Sequence, residues 1–141
     1  MSASGQLYEG RCHCGAIAFA YRTAQPPRAW SIRACQCSFC RAHSALSTSD
    51  PAGTLTFRES SAGAARRYRF GQRTADFLLC PGCGVYIGAS IETPRGRFGI
   101  INVNALAAVP AELSAAVPMS YADETIEQRT ARREARWTPL R

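Results

Sequence analysis

The sequence predicts a mainly β fold that ends in one short helix. Three observations carry this prediction. Stretches of four to eight residues alternate large apolar with small or polar side chains, as strands with one buried face do. Turn signals rich in glycine, proline and aspartate separate these stretches at intervals of about ten residues. A helical pattern occurs only near the end of the chain, at residues 123–137.

The first half of the chain contains three predicted strands. Residues 16–22 (AIAFAYR) and 28–35 (RAWSIRAC) alternate in the strand period, so that their large side chains share one face. The sequence DPAG at 50–53 has aspartate, proline and glycine where a type I turn favours them. Residues 54–57 (TLTF) continue from that turn as the third strand.

The second half supplies four more strands and the helix. The strands are predicted at 66–70, 75–80, 85–90 and 98–104, separated by turns at 71–72, 80–84 and 93–97. Asp123 is the candidate N-cap of the helix, and acidic residues follow in its first turn. We expect this helix to dock through Ile126 and Trp137. The chain is therefore divided into a domain at 1–120 and a helical tail at 121–141.

Composition restricts the partners of the protein. The chain has 141 residues and a net charge of +7, and all of its 17 basic residues are arginines. These are spread along the chain, which argues against a basic arm for nucleic acid, and a nucleic-acid partner is not expected. No apolar run is long enough to cross a membrane. The N-terminal segment lacks the basic start and apolar run of a secretory signal, so we expect cytoplasmic residence.

The seven cysteines fall into three closely spaced motifs. They are Cys12-x-Cys14, Cys35-x-Cys37-x2-Cys40 and Cys80-x2-Cys83. An odd number of cysteines in such spacings favours metal chelation over disulfide bonds. Zinc is the favoured metal because it accepts thiolates in tetrahedral geometry, with iron as the main competitor. The spacing alone leaves open which motifs share an ion, since Cys37 and Cys40 could also combine with Cys80 and Cys83.

Four segments, in this order, resemble one known family. They are GRCHCGAIAF, CQCSFC, FLLCPGCGVYIGA and INVNAL, and the similarity extends over roughly residues 6–110. The family is that of the glutathione-dependent formaldehyde-activating enzymes, which includes the domain of centromere protein V. The resemblance implies a β-tent of antiparallel sheets organised around two zinc ions. It also implies a structural zinc on Cys12, Cys14, Cys80 and Cys83, and a catalytic zinc on Cys35, Cys37 and Cys40.

The resemblance further implies an activity, that of a carbon–sulfur lyase. Its substrate would be a thiol–aldehyde adduct such as S-hydroxymethylglutathione, and its partner a small-molecule thiol, for example glutathione. The catalytic candidates are Cys35, Cys37, Cys40 and His43. The glutathione carboxylates would require arginines, for which Arg33, Arg41, Arg67 and Arg69 are candidates.

The role of His43 stays open at this point. It could complete the second zinc site as a fourth ligand, or it could act beside a bound thiol as a general base. A completed site would favour an alternative function, a non-enzymatic zinc-binding module that recognises protein or nucleic acid. A redox or metal-buffering role for Cys35, Cys37 and Cys40 is a second alternative. We expect His13 to point outward, and Asp76, Tyr86 and Glu92 to be structural.

Overall fold

The computed structural model describes residues 5–141, and within them the protein is mainly β, as predicted, with two sheets and two α-helices. The first four residues, part of the N-terminal segment in which no secretory signal was expected, lie outside the described residues. The strands are β1 Gln6–Arg11, β2 Ile17–Thr23, β3 Arg33–Cys35, β4 Ser47–Thr48, β5 Thr54–Glu59, β6 Arg66–Tyr68, β7 Asp76–Leu79, β8 Tyr86–Thr93, β9 Gly96–Asn102, β10 Val117–Met119 and β11 Thr138–Pro139. The helices are α1 Ser38–Ala42 and α2 Ile126–Arg136. Short 3₁₀ helices occur at Pro27–Ala29 and Val103–Ala105.

The smaller sheet has three antiparallel strands in the order β1-β2-β5. Strand β2 lies in its centre, and its alternation is the one that the sequence predicts. Ile17, Phe19 and Tyr21 are almost fully buried, while the alanines between them are only half-buried. This face of the small sheet therefore forms one wall of the core.

The larger sheet follows the order β10-β3-β4-β9-β8-β7-β6, and β11 pairs with β9 beside this path. Its pairs are antiparallel except for β10 and β3, which run parallel. Strands β8 and β9 are the longest of this sheet and lie in its interior. The four-stranded region β6 to β9 accounts for all four strands predicted in the second half of the chain.

The larger sheet is buried on both faces. Ile87 and Ile101 pack with Phe19 and Leu55 in the core between the two sheets. On the other face, Ile91 and Ile100 belong to a second apolar cluster that includes Trp137. Strands covered on both faces read as nearly continuous apolar runs, which explains the sequence of β8 and β9.

The predicted strand at 28–35 is wrong in its first half. A 3₁₀ helix occupies Pro27–Ala29, and β3 contains only Arg33–Cys35. Proline fixes its own φ and has no N–H to donate to a sheet, so Pro26 and Pro27 favour the turn. The indole N–H of Trp30 donates to the carbonyl of Gln25 at 3.0 Å and closes this turn. Helix α1, directly after β3, was not predicted.

The C-terminal helix forms, but its predicted cap is wrong, and of its two predicted contacts Trp137 is confirmed and Ile126 is wrong. Thr125, not Asp123, is the N-cap of α2, because Thr125 and Gln128 form a reciprocal capping box. Ile126 is 49% exposed, whereas Arg133 and Trp137 are only 8% and 4% exposed. The helix therefore docks through an arginine and through the tryptophan that follows its last turn.

Neither helix described within residues 5–141 is long and apolar enough to cross a membrane.

Candidate metal sites

Two turns from different sheets bring four cysteines together. Cys12 and Cys14 lie in the turn between β1 and β2, and Cys80 and Cys83 lie in the turn between β7 and β8. All four Sγ atoms lie within 4.8 Å of one another. The Cys12–Cys14 and Cys14–Cys80 Sγ separations are 3.8 and 3.5 Å. Thiolates at about 2.3 Å from a tetrahedral ion would be about 3.8 Å apart, so this group has the size of a zinc site.

The two turns have matching local structures. Gly15 and Gly84 have φ values of +84° and +81°, which favour glycine, and each comes directly after a cysteine. The N–H of Gly84 donates to the Cys80 carbonyl at 2.7 Å, and that of Gly15 to the Cys12 carbonyl at 3.2 Å. Backbone N–H groups of Cys14 and Val85 lower the pKa of Cys83 to about 6. The turn at 80–84 therefore favours the thiolate, the form that binds metal, at Cys80 and Cys83.

The other three cysteines form a second group at the end of β3. Cys35 ends the strand, Cys37 is the N-cap of α1, and Cys40 lies within that helix. The N–H of Cys40 donates to Sγ of Cys37 at 3.4 Å, so the helix start holds two of the sulfur atoms in place. The three Sγ atoms all lie within 4.8 Å of one another. Cys40 is buried, and Cys35 and Cys37 are half-buried.

The three sulfur atoms share protons unequally. The thiol of Cys40 donates a hydrogen bond that lowers the pKa of Cys35 to about 5, and the same contact raises the pKa of Cys40. Burial and the negative charge of its neighbours raise the pKa of Cys40 further. Three thiolates at this separation therefore require a cation between them. Four and three thiolates are donor sets that zinc accepts, and both groups could hold it.

His43 follows Cys40 by three residues in the chain but is not part of the second group. It is the C-cap of α1, and the centre of its ring lies 4.5 Å from that of Phe39 and 5.7 Å from that of Tyr86, tilted against both. Among the described residues, the second candidate metal group consists of the three cysteines alone. Tyr86 is fully buried below this group, and its hydroxyl has no hydrogen-bond partner. Burial and the nearby sulfur atoms hold the pKa of Tyr86 well above its usual value.

A pocket of about 180 Å³ opens beside the second group. Cys35, Cys37 and Cys40 line one side, and Phe77 and Trp137 line another. The site thus combines sulfur ligands with a partly apolar pocket that is open on one side to solvent.

Only one of the four arginines expected to meet a substrate lies in this pocket. Arg33 lines it, while Arg41 is exposed on α1. Arg67 and Arg69 instead form ion pairs at the sheet edge, with Glu59 at 3.4 Å and Asp76 at 2.7 Å. His13 and Glu92 are exposed.

Sequence reasoning missed the contribution of α2 to this pocket. Arg129, Arg132 and Arg133 all line it, although they are about ninety residues from the cysteines in the chain. Their only signal in the sequence was the position of Arg133 and Trp137 on one helical face. Nothing in the spacing showed that this face would meet β3.

The fold and the two cysteine groups define the class: a mainly β protein with two candidate metal sites. The sequence model of the glutathione-dependent formaldehyde-activating enzymes matches residues 7–123, and the chain belongs to this family, as its motifs predict. A crystal structure of a Rhodobacter sphaeroides protein, a structural-genomics target, is similar, with 28% identity and a TM-score of 0.58. The similarity covers 78% of this chain and 97% of the other. No curated protein matches the chain.

Proposed function

We propose that the protein is a carbon–sulfur lyase that acts on the adduct of formaldehyde and a thiol such as glutathione. In the forward direction, the carbon–sulfur bond of S-hydroxymethylglutathione breaks, the electron pair returns to sulfur, and the hydroxyl loses its proton as the carbonyl forms. Family membership supports this class of chemistry. Cytoplasmic residence, where the cysteines stay reduced, belongs to the same proposal.

One observation carries the proposal: the second sulfur group has three members and borders a pocket. Three protein ligands and a position open to substrate are typical of catalytic zinc sites, whereas four cysteines are typical of structural ones. Cys35, Cys37 and Cys40 would hold the catalytic zinc, and Cys12, Cys14, Cys80 and Cys83 the structural zinc. When bound at the three cysteines, zinc supplies affinity for a substrate thiolate.

The surrounding residues prepare the site for this reaction. Phe77 and Trp137 exclude water from one side of the pocket, which protects the adduct and strengthens electrostatic contacts. His43 is the proposed general base because it caps the helix whose start holds Cys37 and Cys40, although its side chain does not line the pocket. It would accept the hydroxyl proton as the carbonyl forms and return it in the reverse reaction.

The first prediction tests the second group by substitution of Cys37. Exchange between free and glutathione-bound formaldehyde is followed by NMR in the presence of zinc-loaded protein. We expect wild type to accelerate the exchange, and Cys37→Ser to lose this activity together with one equivalent of zinc while keeping its fold. Metal analysis and circular dichroism measure zinc content and fold.

Ser38→Ala is the matched control, because Ser38 is the exposed neighbour of Cys37 on the same helix. His43→Ala is expected to lose activity but to keep both zinc ions. Loss of zinc in that variant would make His43 a ligand. A wild type that carries two zinc ions but does not accelerate exchange would contradict the lyase and favour a binding module.

A further inference from the structure

The pocket beside the three cysteines is strongly cationic. Four of its lining residues are arginines, and none is an aspartate or glutamate. The four are Arg33 from β3 and Arg129, Arg132 and Arg133 from α2. Such a concentration of one charge in a small chamber favours an anionic ligand.

One nearby carboxylate, that of Glu124, forms ion pairs with two of these arginines. Glu124 accepts from Nε of Arg129 at 3.3 Å, and from Nε and Nη2 of Arg132 at 2.8 and 2.9 Å. The guanidinium of Arg132 also lies 3.6 Å above the ring of Tyr121. Within residues 5–141, no carboxylate forms an ion pair with Arg33 or Arg133.

Arg133 is the more unusual of the two unpaired arginines. It is 8% exposed, and its Nε has no hydrogen-bond partner in the described part of the chain. One of its terminal nitrogens donates to the Thr74 hydroxyl at 2.9 Å, and its guanidinium lies 4.9 Å from the centre of the Trp137 ring. Burial, followed by repulsion from Arg132, lowers its pKa to about 10. A buried guanidinium with an unpaired N–H destabilises the folded protein unless a ligand accepts a hydrogen bond from that N–H.

Arg33 is the second unpaired arginine of the pocket. It donates to the Ser49 hydroxyl at 2.8 Å, and burial lowers its pKa. The metal site itself does not balance both charges. Before a substrate thiolate binds, three thiolates around one divalent ion would carry one net negative charge, which offsets only one of the two guanidinium groups.

We propose that Arg33 and Arg133 form a carboxylate-binding site, so that the pocket selects a thiol that carries a carboxylate. This inference rests on the proposed function and adds the residues that choose the substrate. Arginine donors suit this role because they bind carboxylates with charge-assisted hydrogen bonds. The matched region ends at residue 123 and α2 begins at Ile126, so Arg133 lies outside the segment that defines the family.

The volume of the pocket indicates which part of a ligand enters it. About 180 Å³ is less than the ~300–1,000 Å³ of pockets that enclose a drug-sized ligand. The pocket therefore suits the charged end of a small thiol. A short mercapto acid is the appropriate probe, and its methyl ester is the matched neutral compound.

The test compares 3-mercaptopropionate with methyl 3-mercaptopropionate by calorimetric titration of the zinc-loaded protein. Hydrogen bonds to charged groups contribute about one decade of affinity or more, so we expect wild type to bind the acid about tenfold more tightly. Arg133→Met should bring this ratio close to one while changing ester affinity less than about twofold. Arg33→Met should reduce the ratio in the same direction, and Arg28→Met, an exposed arginine outside the pocket, should leave it unchanged.

Other outcomes separate this inference from its alternatives. If the arginines only balance the thiolates, both compounds lose affinity equally in Arg133→Met and the ratio survives, which overturns the proposal. Equal binding of acid and ester by wild type overturns it as well. Arg133→Lys keeps the charge, and we expect it to keep part of the preference for the acid. This variant replaces Arg133→Met in the test if Arg133→Met fails to fold.

A thiol-free probe distinguishes failure of this inference from failure of the proposed function. If neither thiol binds to wild type, the proposed role of the three cysteines is contradicted. Titration with succinate, which has carboxylates but no thiol, then tests the carboxylate site independently of the three cysteines. Binding that disappears in Arg133→Met supports the site, and no binding by wild type overturns it.

Discussion

Two buried tyrosines have hydroxyl groups that find no hydrogen-bond partner in the described structure. They are Tyr21, in the core between the sheets, and Tyr86, below the three cysteines. Burial raises the pKa of both hydroxyls, and the charge of Asp50 raises that of Tyr21 further. Ionisation of either would place an anion in an apolar environment, so both remain neutral while the protein is folded.

We predict that alkaline pH destabilises the protein through these tyrosines. In the unfolded chain they ionise near the ordinary value of 10, whereas in the folded chain they keep their protons. The contribution of these two tyrosines to the free energy of unfolding is thus fully present below pH 10 and is lost as the pH rises above it. Near-ultraviolet absorbance should show that two of the five tyrosines ionise only together with unfolding. Ionisation of all five in a folded protein would contradict this.

Helix α2 is held by the residues at its C-terminal end, not by the apolar residue at its start. Trp137 is buried against the large sheet, and Ile126 faces solvent. We predict that Trp137→Ala lowers the free energy of unfolding by about 3–5 kcal/mol. Ile126→Ala, the matched control, should change it by less than about 0.5 kcal/mol. Urea unfolding followed by circular dichroism measures both, and equal losses would refute this docking.

The strands were predictable wherever a regular alternation or an apolar run was bounded by turn residues. Strands β2, β5, β7, β8 and β9 meet this condition. The error at 28–35 arose because two prolines override an alternating pattern that follows them. The wrong cap, Asp123, arose because the pairing of Thr125 with Gln128 competes with a simple preference for aspartate.

Of the candidate sites, sequence spacing could predict the sulfur atoms but not their surroundings. Closely spaced cysteines are local, and a turn or a helix start brings them together without help from the rest of the fold. The combination of Cys12 and Cys14 with Cys80 and Cys83 depends on how the two sheets pack, and so does the approach of Arg133 to Cys35. Such long-range contacts have no periodic signal in the chain.

At the scale of the whole molecule, the four-cysteine group connects the two sheets. One pair of its sulfur atoms comes from the turn of the small sheet, and the other pair from a turn of the large sheet. A metal ion bound there would close a loop of the chain between Cys14 and Cys80. This position differs from that of the three cysteines, which all lie within one short segment at 35–40.

We therefore predict that Cys80→Ser damages the fold far more than Cys37→Ser does. Structural zinc contributes on the order of 10 kcal/mol in small domains, so Cys80→Ser should strongly reduce soluble yield and melting temperature. Thermal melts with and without a chelator give the comparison. A stable, soluble Cys80→Ser protein would show that the four-cysteine group is not structural, and collapse of Cys37→Ser would make the second group structural as well.

The last strand has a consequence for the order in which the parts of the protein form during translation. Residues 138–141 pair with β9 and also reach Leu55 of the small sheet, where the N–H of Arg141 donates to the Leu55 carbonyl at 2.8 Å. Ribosomes add about 5–20 residues per second, so these residues follow Cys83 by about three to twelve seconds. A nascent chain can thus assemble its four-cysteine group well before Trp137 arrives to complete the pocket. If the four-cysteine group takes up its metal at that stage, metal capture would precede substrate binding in the life of each molecule.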